Sequence, residues 1–353
     1  MIILGIESSC DETAVGIVKD GSELLANVVA SSMDIHAQYG GVIPELAARS
    51  HIEVIIPVID QALSQAQCSW DDIDGIAVTY GAGLLGSLLI GALTARTLAI
   101  VHDKPLYAIN HVEAHLYVNF ITQSHVPDIT PRNQQPTFPM LGVIVSGGHS
   151  QLVLFRNHFD YTLLGQTQDD AIGEAYDKVA KMIGMPYPGG VNVSLLAEKG
   201  NSAAYRLPKA RMTGKYDFSF SGLKTAVLRL SQQLVGKDHT LSSLALPGLL
   251  TDEQKRDICA SFAQIASETI VDKVMLAVDE FKPKSVIVGG GVAANTQLRR
   301  NLAERLKQPI EYPDFKLCGD NGAMIATLGC FKATQGSTPA DPYTLEVNPS
   351  LSM

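Results

Sequence analysis

The strongest constraint on the fold is a strand-turn-strand pattern that opens both halves of the chain. Near the N-terminus, two apolar runs flank the polar turn Glu7–Thr13, and after Met140 two apolar runs flank the tight turn Ser146–His149. A third strand-like segment follows each pair. Short apolar runs bounded by turn residues predict strands. The repeat indicates a duplicated α/β domain with a nucleotide in the cleft between its halves.

The two halves are separated by a proline-rich segment. Residues 124–139 contain four prolines and few apolar side chains, which is typical of an irregular surface linker. We therefore expect an N-terminal lobe at 1–123 and a C-terminal lobe at 140–353. The second lobe has a mostly helical pattern from about 166 to 275, which predicts a helical insertion.

Composition places the chain among well-cored globular proteins. It has 353 residues, of which 46% are hydrophobic and 18% charged. The longest apolar run, residues 84–101, is interrupted by polar residues, and no signal-like segment begins the chain. Five cysteines without a Cys-x-x-Cys pair argue against disulfides and against a cysteine zinc site. We expect a soluble, unexported, cytoplasmic protein.

The charge balance argues against an overall nucleic-acid-binding surface. A net charge of −9 provides no attractive field for a polyanion, so RNA contact would need a local basic patch or a partner. One segment is rich in basic residues: Lys199, Arg206, Lys209, Arg211, Lys215, Lys224 and Arg229. It is either an RNA-binding surface or an ordinary solvated helical face.

Two histidines four residues apart, His111 and His115, follow a predicted short strand. On a helix this spacing places both imidazoles on one face, where they can bind one metal ion, although such pairs are often ordinary helix residues. Glu113 lies about 200° around the helix from His111. It therefore points away from the imidazoles and cannot be the general base of a zinc protease.

Several polar and glycine-rich loops follow strands. The first turn, Glu7–Thr13, can hold a phosphate or be a solvated hairpin loop. The loop Gly289–Asn295 lets a flat ligand approach the backbone while Asn295 hydrogen-bonds a ribose or base, which predicts an adenosine pocket. Asp320 precedes a helix of small residues, where a carboxylate is either an N-cap or a metal ligand.

Taken together, nine ordered motifs across nearly the whole chain resemble the bacterial TsaD family, relatives of the Kae and Qri proteins that were once called O-sialoglycoprotein endopeptidases. The motifs are Glu7–Thr13, His36–Ala47, His111–His115, Val145–His149, Asp170–Lys178, Tyr187–Gly190, Phe218–Lys224, Gly289–Asn295 and Asp320–Ala323. The resemblance implies an actin-like ATPase fold, the superfamily of acetate and sugar kinases, heat-shock proteins and actin (ASKHA). It places the active site in the cleft between two duplicated lobes.

The resemblance also implies the reaction and its partners. The family transfers threonylcarbamoyl from threonylcarbamoyl-AMP to N6 of adenosine 37, in tRNAs that read codons beginning with adenine, and so forms t6A. Implied partners are tRNA, a TsaB-like paralogue and a TsaE-like ATPase, with no membrane involved.

By motif match, one divalent metal per subunit, Fe²⁺ or Zn²⁺, would bind His111, His115 and Asp320. The adenylate would bind Val145, Ser146, Gly147, Gly148, His149, Asp177, Gly190 and Asn295. No residue must be a nucleophile. Ser9, Cys10 and Glu12 are candidates for holding the threonylcarbamoyl end or taking a proton.

Three alternative functions fit the sequence less well. A kinase or ATPase of the same fold would need carboxylates for Mg²⁺ rather than a histidine pair. A non-catalytic scaffold would be expected to lack the histidine pair, which this chain has. A metalloprotease would need a general base beside its metal, and Glu113 is in the wrong position on the helix to be that base.

Overall fold

The computed structural model describes all 353 residues, which divide into two compact units. One unit contains Met1–Pro136 and Tyr312–Met353, and the other contains Thr137–Glu311. The boundary near residue 136 falls within the predicted proline-rich linker.

The first unit is built on a six-stranded sheet in the order β5-β4-β1-β2-β3-β6. The strands are β1 (Ile2–Glu7), β2 (Glu12–Lys19), β3 (Glu23–Ser31), β4 (Gly75–Gly81), β5 (Leu106–Asn110) and β6 (Gln123–Ser124). The helices are α1 (Met33–Ala37), α2 (Pro44–Ala66), α3 (Leu85–Val101), α4 (His111–Tyr117) and, from the C-terminal segment, α10 (Gly322–Thr334).

Helix α2 is continuous across Pro57, where the sequence predicted a kink or break. Pro57 is exposed, whereas Ile55, Val58 and Ile59 are buried in the core of the first unit. Packing of this apolar stripe outweighs the hydrogen bond that proline cannot donate.

The second unit has a five-stranded sheet in the order β11-β10-β7-β8-β9. Its strands are β7 (Met140–Val145), β8 (Ser150–Asn157), β9 (Asp160–Gln166), β10 (Ser285–Gly289) and β11 (Ile310–Glu311). Its helices are α5 (Ile172–Ile183), α6 (Gly189–Ala197), α7 (Ser221–Leu234), α8 (Asp252–Phe281) and α9 (Thr296–Arg305). The first four helices lie between β9 and β10, in the region predicted as a helical insertion.

The two sheets share one topology. In the first unit β1, β2 and β3 form an antiparallel meander, while β4 and β5 add in parallel beside β1. In the second unit β7, β8 and β9 form the meander, and β10 and β11 add in parallel beside β7. The structure thus confirms the internal repeat expected from the two strand-turn-strand patterns.

The C-terminal segment is the main difference from the predicted domain division. Residues 312–353 were assigned to the C-terminal lobe, but they belong to the first unit. The physical reason is close packing of α10 on β1 and β2. A Cβ atom at Gly5 or Gly16 would overlap the backbone of Ala326 or Ala323, so these glycines let the helix approach the sheet.

Two predictions about the class of protein can be checked directly. All five cysteines are free thiols. None of the helices is both long enough and apolar enough to cross a lipid bilayer.

Candidate functional site

The histidine pair lies on the short helix α4, which begins directly after β5. Asn110 caps this helix, because its side-chain oxygen accepts hydrogen bonds from the backbone N–H groups of Val112 and Glu113, at 2.9 and 3.3 Å. His111 and His115 consequently lie one turn apart with ring centroids separated by 4.7 Å. Both are buried, with 7% and 1% of their surface exposed.

Asp320 completes a cluster of three metal-binding side chains. Its Oδ1 lies 3.6 Å from Nε2 of His111 and 3.3 Å from Nε2 of His115, and one ligand atom from each residue falls within 4.8 Å of the others. The residue that caps α10 is Asn321, whose side chain accepts from the N–H of Met324. The N-cap alternative for Asp320 is therefore wrong.

The hydrogen bonding of the His115 ring indicates whether these three residues fit a metal ion. Both of its ring nitrogens are buried and neither has a hydrogen-bond partner; the approach of Nε2 to Asp320 lacks hydrogen-bond alignment. A buried polar atom without a partner is unfavourable. Metal coordination would satisfy Nε2, so His111, His115 and Asp320 could together hold one metal ion.

Glu7 contacts His111, a role that no sequence pattern predicted. It is fully buried at the end of β1, and its Oε2 lies 3.0 Å from Nδ1 of His111. Burial alone would raise the pKa of Glu7, but the adjacent His111 outweighs it and the pKa is lowered. Burial would lower the pKa of His111, but Glu7 and Asp320 raise it to about 9.

Glu113 is buried on the same helix and does not serve the cluster as a base. Its Oε1 has no hydrogen-bond partner, and burial raises its pKa to about 7, partly offset by Lys332. This arrangement agrees with the expectation that Glu113 points away from the imidazoles.

The three catalytic candidates differ in their chemistry. The hydroxyl of Ser9 lies 3.2 Å from Nδ1 of His111. Burial, reinforced by Asp11 and Asp320, raises the pKa of Cys10 far above its usual range, so it is not a thiolate nucleophile. Burial and the nearby carboxylates of Asp320 and Asp11 raise the pKa of Glu12 to about 9. Glu12 is therefore protonated at neutral pH, which argues against the predicted role of taking a proton and leaves it able to donate one.

In the second unit, the turn after β7 is solvent-exposed and glycine-rich. Ser146 and His149 close it with two hydrogen bonds, from the N–H of Ser146 to the carbonyl of His149 and from the N–H of His149 to the hydroxyl of Ser146. Gly147 and Gly148 are exposed, and a Cβ atom at either would meet nothing within 4 Å. The backbone of this turn is therefore accessible to a ligand.

The other predicted adenylate residues are held by hydrogen bonds within the second unit. The carboxylate of Asp177 on α5 accepts from the N–H of Gly190 on α6, at 3.1 Å. Asn295 caps α9, and its amide donates to the hydroxyls of Ser194 and Tyr176 at 2.9 and 3.3 Å. The structure thus gives Asn295 a structural role in addition to the predicted ligand contact.

A cavity of about 490 Å³ lies beside Asn295. Its polar lining comes from two segments, residues 194–202 and 295–300, and includes Ser194, Glu198, Ser202, Asn295, Thr296 and Arg300. Only Asn295 among these was predicted from the sequence, because the others belong to no recognisable motif. The volume is in the range of small-molecule sites.

Three of the seven basic residues in the segment predicted as an RNA surface or a solvated face form ion pairs within the protein. Lys209 pairs with Glu268 and Asp272, at 2.5 and 2.8 Å. Lys215 pairs with Glu280, and Lys224 pairs with Asp170. These carboxylates lie far away in sequence, so counting basic residues overestimated the positive charge of this surface.

Comparison with known proteins identifies the family. Residues 23–327 match the family model TsaD, tRNA N6-adenosine threonylcarbamoyltransferase. A protein of that name from Thermomicrobium roseum is 46% identical over 346 residues, covering 95% of this chain and 93% of the relative. Another from Protochlamydia amoebophila is 48% identical over 335 residues, covering 94% and 93%.

The chain belongs to the TsaD family. It is a transferase that forms N6-threonylcarbamoyladenosine (t6A) in tRNA, as the resemblance of the motifs implied.

Solved structures place this TsaD-family chain in the ASKHA fold class. A full-length HypF in its phosphate- and nucleotide-bound form aligns with a TM-score of 0.58 at 14% identity, covering 96% of this chain and 56% of that one. Component A of the (R)-2-hydroxyglutaryl-CoA dehydratase of Acidaminococcus fermentans aligns with a TM-score of 0.51 at 18% identity, covering 95% and 99%. At these identities the likeness concerns the fold alone.

Proposed function

We propose that the protein transfers threonylcarbamoyl from threonylcarbamoyl-AMP to N6 of adenosine 37 in tRNAs that read ANN codons, and that it releases AMP. The observation that carries this proposal is the buried cluster of His111, His115 and Asp320. Three protein ligands leave positions on a metal for oxygen atoms of a substrate.

The metal is one divalent ion per subunit, Fe²⁺ in our proposal with Zn²⁺ as the alternative. Two imidazoles and one carboxylate are typical of non-haem Fe²⁺ sites and occur also in zinc enzymes. When bound, the ion supplies Lewis-acid polarisation and orientation of substrate oxygens. His111 and His115 hold it through Nε2, and Asp320 holds it through its carboxylate.

Side chains of the turn after β1 would hold the substrate and take part in proton transfer. The adenosine amine is a poor nucleophile and AMP a good leaving group, so positioning and charge stabilisation contribute more than covalent catalysis. Ser9 lies within hydrogen-bond distance of His111, which suits it to hold the threonylcarbamoyl end. Because its pKa is raised to about 9, Glu12 is protonated at neutral pH: it can donate a proton to the phosphate of the departing AMP, while the proton that N6 releases passes to solvent.

The adenylate would bind in the second unit. In our proposal the turn from Val145 to His149 receives the phosphate, because the exposed backbone at Gly147 and Gly148 offers N–H groups without steric hindrance. Asp177, Gly190 and Asn295 shape the pocket that receives the nucleoside.

Two protein partners belong to the proposal, a TsaB-like paralogue and a TsaE-like ATPase, and the reaction takes place in the cytoplasm. Leu85, Leu89 and Leu93 form an apolar stripe on α3, with 55%, 40% and 50% of their surface exposed. Their spacing of four residues suits contact with a helix of the paralogue. A partner could also add the positive charge for tRNA that a chain of net charge −9 lacks.

The test is incubation of the full-length protein with tRNA, threonylcarbamoyl-AMP and the partner subunits, followed by nucleoside analysis. We expect t6A in the tRNA and one AMP released for each t6A formed. In a parallel reaction that contains ATP and omits the ATPase partner, release of ADP and phosphate without t6A would instead indicate a kinase or ATPase. A reaction with His115→Ala is the matched control and should yield no t6A.

A further inference from the structure

We infer that Glu7 is the positioning residue of the metal centre: its carboxylate keeps the proton of neutral His111 on Nδ1 and leaves Nε2 free to bind the metal. This inference rests on the proposed metal site and adds a residue to it. Glu7 belongs to the turn-forming motif Glu7–Thr13, in which the sequence suggested a role for Ser9, Cys10 and Glu12 but none for Glu7 itself.

The carboxylate of Glu7 is surrounded by hydrogen-bond donors. Oε1 accepts from the backbone N–H of Ser9 at 2.5 Å, and Oε2 accepts from the hydroxyl of Thr79 at 2.6 Å and faces Nδ1 of His111 at 3.0 Å. No part of Glu7 is exposed to solvent. Because Ser9 and Thr79 hold Glu7 from two sides, the carboxylate has a fixed position against the imidazole.

This arrangement determines which nitrogen of His111 carries the proton. An ionised carboxylate can only accept a hydrogen bond, so Nδ1 must donate. When a metal ion displaces the proton of Nε2, which faces Asp320, the imidazole keeps one N–H, and Glu7 holds that proton on Nδ1. Carboxylates behind metal-binding histidines act in this way in many metal sites.

The hydroxyl of Ser9 is a competitor for the same nitrogen. It lies 3.2 Å from Nδ1, slightly farther than the carboxylate. A hydroxyl can donate or accept, so it does not by itself select a tautomer. Glu7 can only accept, and the inference therefore assigns the choice of tautomer to Glu7.

Glu7→Gln probes this role with little change in size. Glutamine replaces one carboxylate oxygen of Glu7 by an NH₂ group, which is a hydrogen-bond donor, although the groups around both oxygens are donors themselves. If the NH₂ group faces His111, the ring must accept on Nδ1 and carry its proton on Nε2, where the metal would bind. If it faces the N–H of Ser9 instead, two buried donors oppose each other, which is unfavourable.

The chain offers a matched control. Glu113 is also buried, is two residues from both histidines, and has no hydrogen-bond partner for Oε1. Glu113→Gln therefore makes the same chemical change close to the cluster without touching the ring of His111. Ser9→Ala removes the competing hydroxyl.

The experiment uses Zn²⁺ as a diamagnetic probe on full-length, metal-free protein, with affinity measured by competition against a chelator. Glu7→Gln should weaken Zn²⁺ binding by about 10- to 100-fold. Glu113→Gln and Ser9→Ala should bind Zn²⁺ as tightly as wild type. Wild-type affinity in Glu7→Gln, or an equal loss in Glu113→Gln, would overturn the inference.

A second measurement needs no substitution at Glu7, so it decides the matter even if Glu7→Gln fails to fold. In Zn²⁺-loaded wild type with ¹⁵N-labelled histidine, His111 should show metal on Nε2 and a proton on Nδ1. Metal on Nδ1 would overturn the inference. If wild type binds Zn²⁺ no better than His115→Ala, the proposed metal site is wrong. Tight binding by both wild type and Glu7→Gln is a different outcome, which overturns only the role of Glu7.

Discussion

The two units of the molecule begin with the same meander but use its first turn in opposite ways. In the first unit the turn is closed: Glu7, Ser8 and Ser9 are almost completely buried, and their polar atoms bond to neighbouring elements. In the second unit Gly147 and Gly148 are exposed, and a Cβ atom added to either glycine would meet no other atom within 4 Å. One topology thus yields a buried polar support in one copy and an accessible backbone loop in the other.

The difference teaches that the turn sequence, and not the sheet, decides what each repeat can do. Side chains with carboxylates and hydroxyls fill the first turn and satisfy a buried cluster. Glycines in the second turn leave room for a ligand to contact the N–H groups. Four experiments, from the largest expected effect to the smallest, challenge this contrast.

The largest effect is expected from the histidine pair of the first unit. His111→Ala or His115→Ala should remove bound metal and abolish tRNA modification while the fold remains largely intact. Elemental analysis and nucleoside analysis measure the two losses. Nucleotide affinity, which we assign to the second unit, should remain at the wild-type value. Full metal content and activity in either variant would show that the pair is only structural.

The second experiment compares a glycine of each unit. Gly16→Ala adds a Cβ that would overlap the backbone of α10, so it should destabilise the protein by about 1–3 kcal/mol or more. Gly147→Ala meets no atom and should leave the melting temperature unchanged while it weakens nucleotide binding. Calorimetric unfolding and titration with nucleotide separate the two. A stable Gly16→Ala variant would contradict the close packing of α10 on β2.

The third experiment concerns Asn295, which caps α9 and for which we propose a ligand contact as well. Asn295→Ala removes a ligand contact worth roughly 1–3 kcal/mol, so nucleotide affinity should fall about 5- to 150-fold. It also removes the cap of α9, which should lower stability by about 0.5–2 kcal/mol. Thr251→Ala, which removes the side-chain cap of α8, is the matched control for stability. Unchanged adenylate binding by calorimetry would show that the Gly289–Asn295 loop holds another ligand.

The smallest effect is expected at the basic segment of the second unit. Lys209 is already paired with two carboxylates, whereas Arg211 is exposed. If this segment contacts tRNA, Arg211→Glu should reduce the salt dependence of binding by about one unit of slope, with adenylate binding unchanged. Lys209→Glu should mainly break the ion pairs that Lys209 forms within the protein. An unchanged salt slope for Arg211→Glu, with partners present, would place the tRNA surface elsewhere.

Local features of this protein could be predicted from sequence, and long-range ones could not. The strands, the two turns and the capped helix of His111 follow from patterns within about ten residues. The support by Glu7 was missed because its partner, His111, is 104 residues away. The choice between cap and ligand at Asp320 stayed open because Asn321, an equally good capping residue, lies next to it. The assignment of residues 312–353 failed because the glycines that receive α10 lie at the other end of the chain.

The return of the C-terminal segment to the first unit has a consequence for the order of synthesis. Asp320 and α10 emerge from the ribosome only after the whole of Thr137–Glu311, roughly 15–65 s after the first strands at about 5–20 residues per second. Until then, the sheet surface around Gly5 and Gly16 lacks its covering helix, and the two histidines lack their carboxylate partner. A nascent chain can therefore complete its second unit before its first, and it would acquire its metal only at the end of translation.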